Sequence, residues 1–306
     1  MSIACGIDIG TNSFRLLVAE VEDGRLRPLA QDLVTVRLGE GLGVSGLLVP
    51  AAMLRAEAAF SRFAALMAPY PVRRVRACAT HAVRKAANGE EFLQRGKALL
   101  GMRIEVLSGE EEARLAMRGT LSALPSQQRR YPLLLADVGG GSSEIILQAT
   151  AESEPRLRSL PLGAVGLTEE FAGDLPAMRK KIRAILAPAL LAILGGEQRG
   201  HVSLFMASGG TATALAALAL GLERYDAQRV QNHQLSQIAV SRLATGLAAL
   251  SPEERNGLPG LEDGRGEIIL AGAVIVQELQ QELARPVLVS DAGLLEGVLL
   301  SAASGG

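Results

Sequence analysis

The chain carries the same short pattern twice. The segments IDIGTNS, beginning at Ile7, and ADVGGGS, beginning at Ala136, lie 129 residues apart, and both have Asp followed by Gly two positions later and Ser five positions later. Each segment follows one apolar run and precedes another, a pattern typical of a strand, a tight turn and a second strand. A repeat at this distance in a chain of 306 residues predicts two related domains, each large enough to bury its own core.

The two repeated turns are candidate phosphate-binding loops. Backbone N–H groups in a glycine-rich turn can bind phosphate oxygens, and an aspartate at a strand end can hold a divalent cation. Either turn alone is also compatible with a purely structural glycine turn, but the matched acids favour binding, with the two hairpins clamping a phosphate chain from both sides. The predicted phosphate ligands are Gly10, Thr11, Asn12 and Ser13 in the first turn, and Gly139, Gly140, Gly141 and Ser142 in the second.

A third glycine element comprises Gly209, Gly210 and Thr211, between a predicted strand at 202–207 and a predicted helix at 211–220. The first N–H groups of a helix favour an anion, so these residues are further candidate phosphate ligands. The alternative is a glycine turn that allows close packing of strand and helix.

The other apolar patterns predict an α/β protein. Further strands are predicted at about 3–9, 14–22, 25–37, 72–79, 103–107, 132–138, 143–149, 156–162 and 286–290. Further helices are predicted at about 50–67, 81–100, 109–123, 164–172, 176–194, 235–249, 264–284 and 292–303. Because residues 122–130 resemble a linker, the predicted domains are 1–124 and 125–306.

Composition excludes several classes of function. Lys and Arg number 31 against 32 Asp and Glu, and aromatic residues make up 3%, which gives no support for nucleic-acid binding. The segment 201–222 lacks charged residues, but SGGTAT in its middle predicts a buried strand and helix and no membrane span. The N-terminus has no signal-peptide pattern, which predicts a cytoplasmic protein.

Cysteine and histidine usage bears on thiol and metal chemistry. Cys5 and Cys78 lie in apolar runs and are predicted to be buried, reduced thiols. His81, His201 and His233 lack ligand spacing, so a metal would need oxygen ligands.

Seven segments carry a resemblance to a known family: GIDIGTNSFRLLVAEV, ATHAVRKAANG, LSGEEEARLAMRG, DVGGGSSEI, LPLGAVGLTEEF, ASGGTATALA and VSDAGLLEGVLL. Together and in this order they closely resemble the exopolyphosphatase / guanosine pentaphosphate phosphatase family, in its short two-domain form. That family belongs to the actin-like, sugar-kinase-like and Hsp70-like ATPase superfamily. The resemblance therefore implies two duplicated actin-like (ribonuclease H-like) α/β domains flanking a phosphate-binding cleft.

The resemblance also implies roles for individual residues. Glu112 in SGEEEA matches the family's catalytic glutamate, which would activate a water molecule, and Arg84 in THAVR matches an arginine that would stabilise phosphate charge. Glu110 and Glu111 are interpreted as first-turn acids that complement the helix dipole. His81 stands where the family usually has serine and receives no chemical role.

The implied metal is Mg²⁺, with Asp8, Asp137 and Glu144 as its acidic ligands. Carboxylate oxygens and a phosphate substrate suit this ion. Each carboxylate would act directly or through water.

The activity that the resemblance implies is Mg²⁺-dependent hydrolysis of the terminal phosphate of inorganic polyphosphate, with guanosine pentaphosphate as a candidate second substrate. A non-catalytic regulator that binds an alarmone or nucleotide is the alternative, and a small-molecule kinase is disfavoured by the GEEEA segment. No nucleic-acid or membrane partner is expected, and a homodimer is a candidate assembly. Basic clusters at 73–76, 129–130 and 179–183 are interpreted as solvated surface.

Overall fold

The computed structural model describes residues 2–195 and 202–305 and divides the chain into two compact units. Unit 1 is Met1–Ser122 with Gly293–Gly306, and unit 2 is Ala123–Ala292. The sequence predicts two consecutive domains, whereas in the structure the last helix packs in the first unit. His201 lies outside the described residues.

Unit 1 is built on a sheet whose strand order is β3-β2-β1-β4-β5. Its strands are β1 (Ser2–Ile9), β2 (Ser13–Glu22), β3 (Arg25–Thr35), β4 (Arg74–Ala79) and β5 (Ile104–Val106). Its helices are α1 (Leu42–Ser45), α2 (Pro50–Met67), α3 (His81–Lys85), α4 (Gly89–Leu100), α5 (Gly109–Ala123) and, from the end of the chain, α13 (Leu294–Ser304). The first three strands form antiparallel hairpins, and β1, β4 and β5 are parallel.

The core of unit 1 contains three packed aromatic rings. Phe14 and Phe60 stack with ring centroids 5.3 Å apart, and Phe92 contacts both rings from α4. Cys5 and Cys78 are buried free thiols, which confirms the prediction, and burial raises the pKa of each to about 12.

The segment 81–100, predicted to be helical throughout, forms two helices with a break that contains Asn88. In this break the Asn88 side chain binds the backbone of Leu48. It donates to the Leu48 carbonyl at 3.0 Å and accepts from the Leu48 N–H at 2.8 Å. The interruption between α3 and α4 therefore binds the loop that precedes α2.

Close backbone contact explains why α13 belongs to unit 1. A Cβ atom at Gly297 would lie on the Leu115 carbonyl of α5, and one at Gly119 would lie on backbone atoms of Gly293 and Gly297. Only glycine allows two helix backbones to approach this closely. At its other end, α13 offers the Ala303 carbonyl to Arg74 at 2.5 Å.

Unit 2 repeats the topology of unit 1, with the order β10-β11-β9-β6-β7-β8. Its strands are β6 (Leu133–Val138), β7 (Ser143–Gln148), β8 (Arg156–Leu160), β9 (Leu204–Ser208), β10 (Gln234–Leu235) and β11 (Val287–Val289). Its helices are α6 (Ala164–Phe171), α7 (Leu175–Leu194), α8 (Gly209–Ala219), α9 (Ala227–Val230), α10 (Gln237–Ala248), α11 (Pro252–Asn256) and α12 (Ile269–Leu283), with 3-10 turns at Ser126–Gln128 and Arg265–Glu267. The strands β8-β7-β6-β9-β11 correspond one for one to β3-β2-β1-β4-β5, with β10 added at the edge. The predicted α/β fold with two duplicated actin-like domains is confirmed.

The uncharged segment that begins at residue 201 is not a membrane span. In its described part it forms β9 and α8, the predicted strand and helix. No described helix combines the length and apolar character that crossing a bilayer requires.

Candidate functional site

The predicted phosphate turn of unit 1 is held from one side by backbone bonds. The Gly10 N–H donates to the Ser13 carbonyl at 3.2 Å, and Asn12 Nδ2 donates to Ser13 Oγ at 3.2 Å. The Thr11 carbonyl accepts the Gly39 N–H at 2.8 Å, and the Asn12 carbonyl accepts two further amides after β3. In a planar trans peptide the next N–H points opposite to the carbonyl, so the Asn12 and Ser13 N–H groups point away from this support. Such outward amides suit an anion.

Asp8, at the end of β1, is 3% exposed and only half satisfied. Arg15, its direct partner in the β1–β2 register, donates to Oδ2 through Nε at 3.1 Å and Nη2 at 2.6 Å. Oδ1 is buried without a partner, as is Oγ1 of Thr11. A buried polar atom left without a hydrogen-bond partner costs about 1–3 kcal/mol of stability. A bound ligand that bonds to Asp8 Oδ1 and Thr11 Oγ1 would remove this cost.

The turn of unit 2 has the same closing bond. The Gly139 N–H donates to the Ser142 carbonyl at 3.0 Å. The Gly139 and Gly140 carbonyls accept the N–H groups of Ala164 and Val165 at the start of α6, at 3.0 and 2.8 Å. The amides that follow these carbonyls therefore point away from α6.

The second hairpin differs from the first in charge. Asp137 faces Glu144 across β6–β7, at the register position where Asp8 faces Arg15 in unit 1. Both acids are buried, and Ser159 Oγ donates to Glu144 Oε1 at 2.7 Å. Asp8 thus faces a guanidinium across its strand pair, whereas Asp137 faces a second carboxylate, the ligand type that divalent cations prefer.

The oxygen donors of Asp137 and Glu144 fit a hard cation such as Mg²⁺, and the free Oδ1 of Asp8 fits one as well. Among residues 2–195 and 202–305, no three His, Cys, Asp or Glu side chains are arranged as metal ligands. The three predicted acids thus do not form a preassembled three-ligand site. Mg²⁺ commonly binds through one or two carboxylates and completes its coordination with water and substrate phosphate.

The third predicted loop is the junction of β9 and α8. Gly209 has φ +85°, and a Cβ atom there would lie 2.5 Å from Asp137 Oδ1, so glycine is required on both counts. No side chain caps α8, and Ser208 Oγ is buried without a partner. The Thr211 side chain packs on Gly272 of α12, so the group of Thr211 that suits an anion is its backbone N–H. The amides of the first turn and the Ser208 hydroxyl are suited to an anion.

Arg265 joins this loop and was not predicted from the sequence. It is 7% exposed, and its guanidinium occupies the space where a Cβ atom at Gly210 would lie. Nη2 donates to Glu262 Oε2 at 2.7 Å, whereas Nε is buried with no partner. An unused guanidinium donor beside a helix N-terminus suits a phosphate oxygen.

Three glutamates begin α5 in different environments. Glu110 is exposed and lies 3.8 Å from Arg114. Glu111 and Ser108 form reciprocal bonds at the helix start, with Ser108 N–H donating to Oε2 at 3.0 Å and Glu111 N–H donating to Oγ at 3.2 Å. The bonds that the Ser108 N–H and hydroxyl donate to Oε2 lower the pKa of Glu111 below its ordinary value. Both residues serve the helix start, in agreement with the sequence interpretation.

Glu112 is different because it is only 6% exposed. Arg84 Nη1 donates to Glu112 Oε2 at 3.2 Å and to the Leu107 carbonyl at 2.5 Å. Arg84 thus fixes the carboxylate against the loop between β5 and α5. A positioned carboxylate can accept a proton from water, and a guanidinium with five N–H groups keeps donors for a phosphate.

His81 begins α3, three residues before Arg84. Burial and the charges of Arg84 and Lys85 lower the pKa of His81 from 6.5 to about 4. The imidazole is therefore neutral at neutral pH.

His81→Asn should reduce the loss of stability in acid. The unfolded histidine takes up a proton near pH 6.5 and the folded one only near pH 4, so His81 lowers the free energy of unfolding as the pH falls between these values. Urea unfolding at several pH values in this interval should show a steeper decline for the wild type than for the variant. Equal slopes would contradict the assignment.

The basic clusters are mostly engaged within the protein. Arg179 and Arg183 on α7 both donate to the buried Glu278 of α12, at 2.7 and 2.6 Å. Arg76 donates to Glu105 at 2.9 Å and to Ser301 Oγ of α13 at 2.8 Å. Arg76 and Arg179 are partly buried and join neighbouring elements, which differs from the predicted solvated surface, whereas Arg183 stays exposed as predicted.

Comparison with known proteins agrees with this architecture. The model of the Ppx/GppA phosphatase family matches residues 17–304. Exopolyphosphatase 2 of Mycobacterium tuberculosis is 34% identical over 319 aligned residues, which cover 97% of both chains.

Two solved structures are similar over nearly the full length. The Aquifex aeolicus PPX-GPPA enzyme has a TM-score of 0.80 and 30% identity, covering 98% of this chain and 99% of that one. An exopolyphosphatase from Cytophaga hutchinsonii has a TM-score of 0.89 and 26% identity, covering 99% and 98%. With its duplicated hairpins, its glycine loop at α8 and the Arg84–Glu112 pair, the chain is a member of the Ppx/GppA phosphatase family.

Proposed function

We propose that this protein is a Mg²⁺-dependent exopolyphosphatase, which hydrolyses the terminal phosphoanhydride bond of inorganic polyphosphate. One observation carries the proposal. Over the described part of the chain, five buried side-chain polar atoms have no hydrogen-bond partner, and four of them belong to Asp8, Thr11, Ser208 and Arg265. All four lie on or against the predicted phosphate loops, so the missing partners are best supplied by a phosphate chain and its cation.

The substrate class is supported by the relatives. Exopolyphosphatase 2 of M. tuberculosis and the C. hutchinsonii exopolyphosphatase are both named for hydrolysis at the end of polyphosphate. A phosphate chain presents oxygens and negative charge without bases or sugars, which matches loops made of amides, hydroxyls and a guanidinium.

Binding uses separate groups in each unit. In unit 1 the Asn12 and Ser13 N–H groups of the turn and the Thr11 hydroxyl would bind phosphate oxygens, while the Gly10 N–H closes the turn. In unit 2 the turn Gly139–Ser142, the first turn of α8 and Arg265 would do the same. The proposed Mg²⁺ ligands are Asp137 and Glu144 in unit 2 and Asp8 in unit 1, and the ion would supply charge neutralisation on the phosphates.

Glu112 would direct the hydrolytic step. Its carboxylate orients a water molecule and accepts a proton from it while the water oxygen forms a bond to the terminal phosphorus. The bridging P–O bond breaks, and its electron pair leaves with the shortened chain. Arg84 holds the carboxylate and offers its remaining donors to the negative charge of the transferred group.

Guanosine pentaphosphate is a candidate second substrate because its terminal phosphoanhydride is the same reacting group. A purely binding regulator is not favoured. A regulator has no need of a buried glutamate that an arginine fixes next to a backbone carbonyl, whereas a hydrolase does.

Asp137→Asn should weaken Mg²⁺ dependence more than Asp8→Asn does. Asp137 faces Glu144, whereas the charge of Asp8 is already balanced by Arg15. Titration of activity with Mg²⁺ should therefore show the larger rise in half-saturating concentration for Asp137→Asn, with little change in thermal unfolding. An unchanged metal requirement in both variants would exclude these acids as ligands.

The proposal is tested by measuring phosphate released from purified polyphosphate, with Mg²⁺ and without any nucleotide. A hydrolase releases phosphate steadily and stops when the metal is chelated. A regulator releases none, and a kinase releases none either, because it transfers phosphate only to an acceptor and only when that acceptor is added. Either of these last two results would overturn the proposal.

A further inference from the structure

Arg255 is a buried cation that is not explained by an ion pair. It lies on α11 and is 8% exposed. Nε donates to the Leu250 carbonyl at 3.2 Å and Nη1 to the Gly266 carbonyl at 3.2 Å. Burial lowers the pKa of Arg255 from its ordinary value, and the partners of its guanidinium in the described part of the chain are these two carbonyls and no carboxylate.

Desolvating a guanidinium is costly, and an apolar side chain of similar length would fill the space without that cost. Unlike an apolar side chain, arginine can fix the relative orientation of two backbone segments, because its planar guanidinium binds two carbonyls at fixed angles. The two carbonyls lie before α11 and in the 3-10 turn that carries Arg265.

Helix α11, which carries Arg255, has a well-defined start. Pro252 is the first residue of α11, and Ser251 and Glu254 form a capping box. The Glu254 N–H donates to Ser251 Oγ at 3.2 Å, and the Ser251 N–H donates to Glu254 Oε2 at 2.7 Å. Helix α11 therefore has a defined start even though it is only five residues long.

The turn that receives the bond lies directly on α11. A Cβ atom at Gly266 would be 2.5 Å from the backbone carbon of Arg255, so the two backbones are in contact. Gly266 follows Arg265, whose guanidinium lies on Gly210 at the start of α8 with its Nε unpartnered. One continuous set of contacts thus runs from α11 through Arg255 and Gly266 to Arg265 and the α8 loop.

We infer that Arg255 is a positioning residue that holds the Arg265 turn so that the Arg265 guanidinium is presented to a phosphate at the α8 N-terminus. The inference rests on the proposed phosphate-binding function of that loop. Arg255 does not contact the phosphate itself.

The test is a double-mutant cycle on KM and kcat for polyphosphate, using Arg255→Met, Arg265→Met and the double variant. Arg265 binds phosphate before and during reaction, so Arg265→Met should raise KM by about 10- to 100-fold. Arg255→Met should raise KM by about 3- to 10-fold, with kcat within about threefold, since loss of alignment weakens a charged hydrogen bond without removing it. In the double variant the Arg255 change should add nothing further, because its effect passes through Arg265.

Arg156→Met is the matched control, since Arg156 also donates to a backbone carbonyl at 3.2 Å in unit 2, that of Ile193, but on a different element. It should leave KM unchanged. If Arg255→Met fails to fold, Arg255→Lys keeps the charge but cannot bind both carbonyls, and it should show the same non-additive rise in KM.

Two results would overturn the inference. Multiplicative effects of the Arg255 and Arg265 changes on KM, or an Arg255 variant that loses only thermal stability, would show that Arg255 does not act through Arg265. If Arg265→Met itself leaves KM unchanged, the phosphate-binding function of Arg265 fails first, and the inference fails with it.

Discussion

Glu112→Gln is expected to lower the turnover of polyphosphate by about 10²- to 10⁴-fold, the usual range for loss of a general base. The amide keeps the size of the carboxylate and can still accept the 3.2 Å bond from Arg84, but it cannot take a proton from water at neutral pH. Substrate binding and thermal unfolding should stay close to those of the wild type. Single-turnover phosphate release measures the effect directly.

Glu111→Ala is the control from the same helix turn. It removes the two bonds that the Ser108 N–H and hydroxyl donate to Glu111 Oε2 but keeps the bond from the Glu111 N–H to Ser108 Oγ. The loss should cost about 0.5–1.5 kcal/mol of stability and leave turnover nearly unchanged. Loss of stability without loss of turnover in Glu112→Gln would assign Glu112 to the helix start and remove its catalytic function.

Gly297→Ala should have the largest effect on folding. The added Cβ atom would overlap the Leu115 carbonyl of α5, and helix backbones cannot yield as a flexible side chain does. Overpacking of this kind costs about 1–3 kcal/mol and more where backbone is the obstacle, a large share of the roughly 5–15 kcal/mol that stabilises a domain. Because α5 also carries Glu112, the displacement should reduce turnover as well.

Gly246→Ala on α10 is the matched control for this helix glycine. Apart from the backbone of α10 itself, no atom lies within 4 Å of a Cβ atom at Gly246, so alanine should stabilise the helix by up to about 1 kcal/mol. Urea unfolding compares the two variants. Equal stability of Gly297→Ala and the wild type would contradict the close crossing of α5 and α13.

The sequence predicted the duplicated fold because the repeat is local. A strand, a turn and a strand occupy consecutive residues, so their spacing survives in the chain as a readable pattern. The place of α13 could not be read in the same way. Its apolar pattern predicts a buried helix, but the fit between Gly297 and Gly119 joins residues far apart in sequence, and only the packing shows which unit it joins.

The site residues also differ in whether local sequence could reveal them. The turn residues and strand-end acids were predicted because their chemistry depends on short spacing. Arg15 was missed, although extending the repeat by two residues aligns it with Glu144 and exposes the difference in charge. Arg265 gave no local signal, because its importance comes from lying against Gly210 in the folded unit.

The most direct test of the proposed hydrolysis is the isotopic composition of phosphate released from polyphosphate in ¹⁸O-labelled water without nucleotide. Attack by water activated by Glu112 predicts that each released orthophosphate carries one solvent oxygen, and that Glu112→Gln lowers the rate of this labelling by the same factor as phosphate release. Released phosphate that lacks solvent oxygen, or release that requires an added nucleotide, would contradict hydrolysis as the activity of this protein.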